Sequence, residues 1–282
     1  MKKLFLLSTI ALSSFFISCS DSDKKEDGGQ EVPTNPQRKL KVVVAVLDSN
    51  GNAINVQQAD ANTTKDYVMV GSKFQHRVLI EDFTGAWCGW CPRVTASIEE
   101  LEKSNADKIV PVALHNGDKL AFSPYERTLS DALWTKFGIP TTERGYPFAV
   151  LNRSEQWDAK SGNAMKTDQV LALAKTDSEV GIKISSQLEA TSGKINVSFK
   201  FANGVPTELK YVVYVVESGI VLKQSNYTSN YGGKGNKDEF VHNEVAKAVN
   251  GDVMGVTIPS DKIGAGKEFA TGDISVSYKE FK

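Results

Sequence analysis

Two cysteines separated by two residues constrain this chain more than any other feature. Cys88 and Cys91 follow the apolar run Val78–Phe83. They precede Pro92, Val94, Ile98 and Leu101, where apolar residues recur at helical spacing and proline suits a first helical turn. The pair therefore stands where a strand gives way to a helix N-terminus. Unpaired N–H groups and partial positive charge at that point stabilise a thiolate. Such motifs lower a thiol pKa from about 8.5 into the ~3.5–7.5 range. On this reading Cys88 attacks a disulfide and Cys91 resolves the mixed disulfide. No cofactor is expected beyond the redox-active Cys88–Cys91 pair itself.

The 282 residues carry a net charge of −1, which leaves no electrostatic footprint for nucleic acid. Residues 1–18 (MKKLFLLSTIALSSFFIS) combine Lys2 and Lys3 with an apolar run too short to span a bilayer. They read as a secretory signal. Cys19 follows at the boundary with a polar tail, the place of an acylated cysteine in a lipoprotein; plain cleavage near Ser18 or Ser20 is the alternative. Residues 19–38, charged and Gly/Pro-containing, read as a flexible tether. This predicts a protein anchored by lipid to the outer membrane, on its periplasmic or cell-surface face, in a compartment where disulfides persist.

Residues 39–177 are expected to hold N-terminal strands and an α/β domain. Leu40–Leu47 and Ala53–Val56 form a hairpin around Asp48–Asn52, and Ile109–Leu114 and Phe148–Leu151 are buried strands. Ser123-Pro124-Tyr125-Glu126 predicts a helix capped by Ser123, with Leu129, Leu133 and Phe137 on its apolar face. Residues 178–282 are expected to form a separate β-sandwich built from strand candidates 180–184, 195–201, 209–216, 253–258 and 274–278. The Asn/Gly-rich stretch Ser225–Lys237 is a long loop that names no ligand.

Trp87-Cys88-Gly89-Trp90-Cys91 resembles the thioredoxin active site. The resemblance implies a thioredoxin-like α/β fold, followed here by an all-β, Ig-like sandwich. It also assigns Asp82, six residues before Cys88, as the buried carboxylate that takes the resolving thiol's proton. Glu81 is adjacent; one of the two is expected to point outward, and Asp82 is read as the inward one. The family further requires a cis-proline before a strand. Pro140 is followed by polar residues, whereas Tyr146-Pro147 leads directly into Phe148-Ala149-Val150-Leu151. Pro147 is assigned on that basis, with Trp87, Trp90, Tyr146 and Pro147 contacting substrate. The longer phrase Glu81-Asp-Phe-Thr-Gly-Ala-Trp-Cys-Gly-Trp-Cys-Pro92 is similar to the Omp28-related outer-membrane proteins. Gly145–Arg153, Val216-Glu217, Gln224 and His242-Asn243 extend that similarity over roughly residues 75–260. It departs at Ala246-Lys247, where a helical segment is expected.

A zinc site would need a second paired motif, and none exists. His76, His115 and His242 are isolated in sequence; His115 ends a strand and could line a site. The leading reading is a thiol–disulfide oxidoreductase acting on protein or peptide thiols and disulfides. The segment Gly117–Gly145 would cover or select substrate. The competing reading is a surface binding or adhesion lipoprotein with an inert disulfide. Replacing Cys19→Ser is expected to release the protein from the membrane fraction; unchanged partitioning refutes lipidation.

Overall fold

The computed structural model describes residues 38–281. The signal segment, Cys19 and the tether up to residue 37 lie outside the described residues. The described chain is mostly β, in several sheets with three short helices. It opens with the hairpin β1 (Lys39–Leu47) and β2 (Ala53–Asp60). Short strands β3 (Thr64–Lys65), β4 (Met69–Val70) and β5 (Lys73–Gln75) follow. The middle runs β6 (Val78–Thr84), α1 (Pro92–Asn105), β7 (Ile109–His115) and α2 (Tyr125–Lys136). It continues through β8 (Phe148–Leu151), β9 (Glu155–Gln156) and α3 (Thr167–Leu173). After β10 (Asp177–Ser178) come β11 (Val180–Leu188), β12 (Ser192–Phe201) and β13 (Lys210–Ser218). The last strands are β14 (Ile220–Gln224), β15 (Lys237–His242), β16 (Val245–Asn250), β17 (Val256–Thr257) and β18 (Glu268–Ser277).

One nine-stranded sheet dominates, in the order β2-β1-β13-β16-β7-β6-β8-β9, with β17 beside β13. Strand β6 pairs in parallel with β7 and antiparallel with β8, and all seven of its residues are buried. One face of the sheet packs on α2 through Leu129, Leu133 and Trp134. The other face is shared. Beneath β6 it meets α1 and α3, where Val94, Leu101 and Val170 pack on Val78 and Ile80. Farther along it meets a second sheet, β18-β12-β11-β3. Strand β1 shows why: Val42, Val44 and Val46 face the second sheet while Val43, Ala45 and Leu47 face the α2 side. Burial on both faces selects the continuous β-branched run, each side chain contributing about 1.5–3 kcal/mol.

Three expectations are corrected. The boundary at 177/178 does not separate two sheets, because β13, β16 and β17 enter the large sheet alongside β1 and β7. The core between the two sheets is thus built from both ends of the chain, with β1 and β13 facing β11 and β12. Strand β16 stands where the family resemblance led to a helical segment at Ala246-Lys247, and Lys247 is buried in it against Glu217. Finally, Ser123 does not cap α2. The helix is entered through Pro124 without a side-chain cap, and the Ser123–Pro124 bond is cis.

The Glu81–Asp82 pair departs from expectation too, because both carboxylates are buried. Glu81 points to the α2 side and meets Arg153, whose Nε and Nη2 donate to it at 2.8–3.2 Å. The Tyr214 hydroxyl donates to Glu81 Oε1 at 2.7 Å, and Arg153 Nη1 donates to the Val253 carbonyl at 2.6 Å. Arg153 reaches inward because Asn152 and Arg153 both take left-handed backbone (φ 50° and 54°) just after β8. This places β6, the end of β8 and β13 in one buried network. Removing one partner leaves an uncompensated interior charge, so Glu81→Ala is expected to cost about 3–5 kcal/mol in urea unfolding, and Glu81→Met with Arg153→Met to recover most of it. A single-variant loss below about 1 kcal/mol would contradict the assignment.

Candidate functional site

The end of β6 delivers the chain into the turn Gly85–Cys91. There Cys88 N–H donates to the Gly85 carbonyl at 2.9 Å and Cys91 N–H to the Cys88 carbonyl at 3.2 Å. Helix α1 then starts at Pro92 with Cys91 as its entry residue. Cys88 and Cys91 form a disulfide with Cα atoms 5.4 Å apart. Cys88 is 4% exposed and Cys91 1%, so both cysteines are buried. The flanking Trp87 and Trp90 are 49% and 42% exposed.

Tyr146 lies against Trp87 edge-to-face, with ring centroids 5.6 Å apart. The Tyr146–Pro147 bond is cis and Pro147 leads into β8, where sequence placed it. A closed set of hydrogen bonds fixes these rings. The Tyr146 hydroxyl donates to Glu126 Oε1 at 2.5 Å, Asn116 Nδ2 donates to Glu126 Oε2 at 2.6 Å, and Trp87 Nε1 donates to the Asn116 carbonyl at 2.8 Å. Glu126, read from sequence as half of a capping box, instead anchors the tyrosine; burial raises its pKa. Tyr146, Pro147 and Trp90 border a groove of about 580 Å³ that also reaches Arg93 and Gln156.

Asp82 faces the α1 side of the sheet. It is 2% exposed, its Oδ1 has no hydrogen-bond partner, and burial pushes its pKa up to about 8. It borders a cavity of about 40 Å³ shared with Glu102, His115, Gln224, His242 and Glu244. Burial, then the neighbouring Glu244, raises Glu102 to about 7. His242 is held down to about 3 by burial and by His115, whose ring is 5.1 Å away. His115 Nδ1 lies 2.7 Å from Asp118 Oδ2, which also accepts from the Ala86 N–H. The two histidines isolated in sequence are thus neighbours beneath the cysteine turn.

The loop after β14 was not tied to the motif by sequence, yet it clasps it. Ser225 N–H donates to the Ala86 carbonyl at 2.8 Å and Tyr227 N–H to the Gly89 carbonyl at 2.7 Å. Gln224 Nε2 donates to the Cys88 carbonyl at 3.0 Å. A Cβ on Gly89 would lie 2.4 Å from the Tyr227 ring, so this close approach requires glycine. Buried Asn226 stiffens the loop from within, donating to the Asn230 and Gly233 carbonyls. Gln224 had been marked only through family resemblance, and no local pattern marked Tyr227 or Arg93.

The family model for outer membrane protein Omp28 matches residues 134–278. That span contains Tyr146, Pro147 and the clasping loop but begins after the cysteine motif. No curated protein matches the chain. Among solved structures, HBP35 of Porphyromonas gingivalis aligns with a TM-score of 0.50 at 18% identity, over 73% of this chain and 65% of that one. Identity this low conveys likeness of fold alone, and this chain spans about two-thirds of that protein's length.

Asp82 makes a testable demand on stability. With its pKa raised from about 3.8 to about 8, the folded chain keeps a proton that the unfolded chain releases between those values. Stability contributed by this group therefore falls as pH rises through that window. Asp82→Asn is expected to melt higher than the parent at pH 9 and to lose most of that advantage at pH 4. A difference independent of pH would place the carboxylate in contact with solvent.

Proposed function

The chain belongs to the outer membrane protein Omp28 family, and from that premise we propose that it is a thiol–disulfide oxidoreductase tethered at the outer membrane by a lipid on Cys19. The observation that carries the reading is the juxtaposition at the end of β6. A disulfide stands at the start of α1 with a buried, unpaired carboxylate on the strand that leads to it. The succession β6-α1-β7 with antiparallel β8 is read as a thioredoxin-like unit, and α2 as an insertion that anchors Tyr146. The sheet β18-β12-β11-β3 is read as one layer of a sandwich completed by β1 and β13.

In the reducing direction the Cys88 thiolate attacks one sulfur of a substrate disulfide. A mixed disulfide forms and one substrate thiolate leaves. Asp82 takes the proton from Cys91, and the Cys91 thiolate attacks Cys88 Sγ. That step restores the Cys88–Cys91 disulfide and frees the second substrate thiolate; two electrons have passed to the substrate. A dithiol protein must then reduce the pair. In the oxidising direction a substrate dithiol supplies those electrons directly. A carboxylate titrating near 8 suits this exchange, because it is ready both to hold and to give up a proton near neutral pH. The cavity beside Asp82 has room for water, which gives the proton an exit. Trp87, Trp90, Tyr146 and Pro147 form the contact surface. The Tyr146 backbone N–H and carbonyl have no backbone partner among the described residues, leaving an edge that an extended peptide can pair with.

One observation favours the competing reading of a binding lipoprotein with an inert disulfide: the loop at Tyr227 presses on the motif and both sulfurs are nearly covered. Turnover separates the two. The parent protein is expected to reduce a protein disulfide with a dithiol as electron source, Cys88→Ser to lose this by at least about 100-fold, and Cys91→Ser to accumulate mixed disulfides. Equal rates for parent and Cys88→Ser would establish the inert disulfide.

A further inference from the structure

The groove beyond Pro147 holds a cation without a counter-ion. Arg93, the second residue of α1, lines it together with Trp90, Trp134, Tyr146, Pro147 and Gln156. Its Nε is buried without a hydrogen-bond partner, and among the described residues the guanidinium forms no ion pair. Burial lowers its pKa, yet arginine stays charged at any physiological pH. The neighbouring Arg144 is already committed: it bridges to Asp131 at 3.5 Å and donates to the Ile139 carbonyl at 3.2 Å. Glu143, also on the groove, is exposed whereas Arg93 is half-buried, so solvent screens the carboxylate more than the guanidinium.

Building on the oxidoreductase reading, we infer that this groove is a specificity site for an acidic peptide segment, with Arg93 receiving the carboxylate of an Asp or Glu that flanks the substrate cysteine. The occupant is a peptide because the groove continues from the unpartnered backbone at Tyr146, where an extended chain can pair next to Trp87, the residue before Cys88. A carboxylate, with two acceptors in one plane, matches the guanidinium fork better than any neutral side chain. Trp90 and Trp134 supply aromatic surface on which apolar side chains flanking the acidic residue can pack.

The test uses the full chain and capped eight-residue peptides in which serine replaces cysteine, with Glu, Gln or Lys placed one to four residues away. Binding to the oxidised protein is followed by calorimetry. The Glu series is expected to contain a peptide bound about tenfold more tightly than its Gln counterpart, and Lys to bind more weakly still. Arg93→Gln should erase the Glu preference, and Arg93→Glu should reverse it in favour of Lys. Equal affinities for all Glu and Gln peptides, or a preference surviving in Arg93→Gln with an unchanged melting temperature, would overturn the inference. Reduction of hydroxyethyl disulfide, a small neutral substrate, is measured alongside. Its absence in the parent protein would sink the oxidoreductase reading while Arg93-dependent binding still upheld the groove.

Discussion

Strands β7 and β16 meet at one paired position, Ala113 beside Val245, with the Ala113 N–H donating to the Glu244 carbonyl at 2.8 Å. So thin a seam would let the two halves of the large sheet shear. What opposes that is the buried set Glu81, Arg153 and Tyr214, which crosses from β6 and the end of β8 to β13. Such a network adds little net stability over an apolar core of the same shape, because its desolvation cost nearly cancels its attraction. Its contribution is geometric. It holds β6 in register with β8, and that register sets Trp87 and Tyr146 side by side.

The two adjacent carboxylates show how environment divides one chemistry into two tasks. Glu81 has a guanidinium and a phenol to satisfy it. Asp82, one residue on and across the sheet, has a free oxygen and a small polar cavity. The first is structural ballast for the register, while the second is kept titratable by the absence of a partner. Around the disulfide the same division recurs. Glu126 and Asn116 lock Tyr146 and Trp87 from the α2 side, while Gln224 and Tyr227 close the motif from the β14–β15 loop. The Tyr146–Trp90 side is left open, and the groove begins there.

Membership of an outer-membrane family rests on residues 134–278, which carry most of that surround but not the cysteines themselves. The redox reading therefore draws on the motif's own setting. A disulfide at a 14-residue helix's start, an unpaired buried acid and an exposed aromatic rim are local facts of this chain.

Much of the local structure was legible in the sequence because it depends on neighbours along the chain. The β1–β2 turn follows from Asp48 accepting the Asn50 and Asn52 N–H groups with Gly51 at φ 73°. The strand-to-helix step at Cys88–Cys91 follows from apolar spacing and Pro92, and Pro147 stood out because a strand begins at Phe148. What the sequence could not show was long-range partnership. The continuous apolar run in Lys210–Ser218 predicts a strand but not that β13 pairs with β1, more than 160 residues earlier, instead of closing a separate domain. No local pattern marks Lys247 or Arg153 as buried; only the fold brings Glu217 and Glu81 to them. Ser225–Lys237 reads as a loop, and only packing brings Tyr227 onto Gly89. Backbone preference is fixed within a few residues, whereas burial of a charge is decided by whichever distant side chain arrives to meet it.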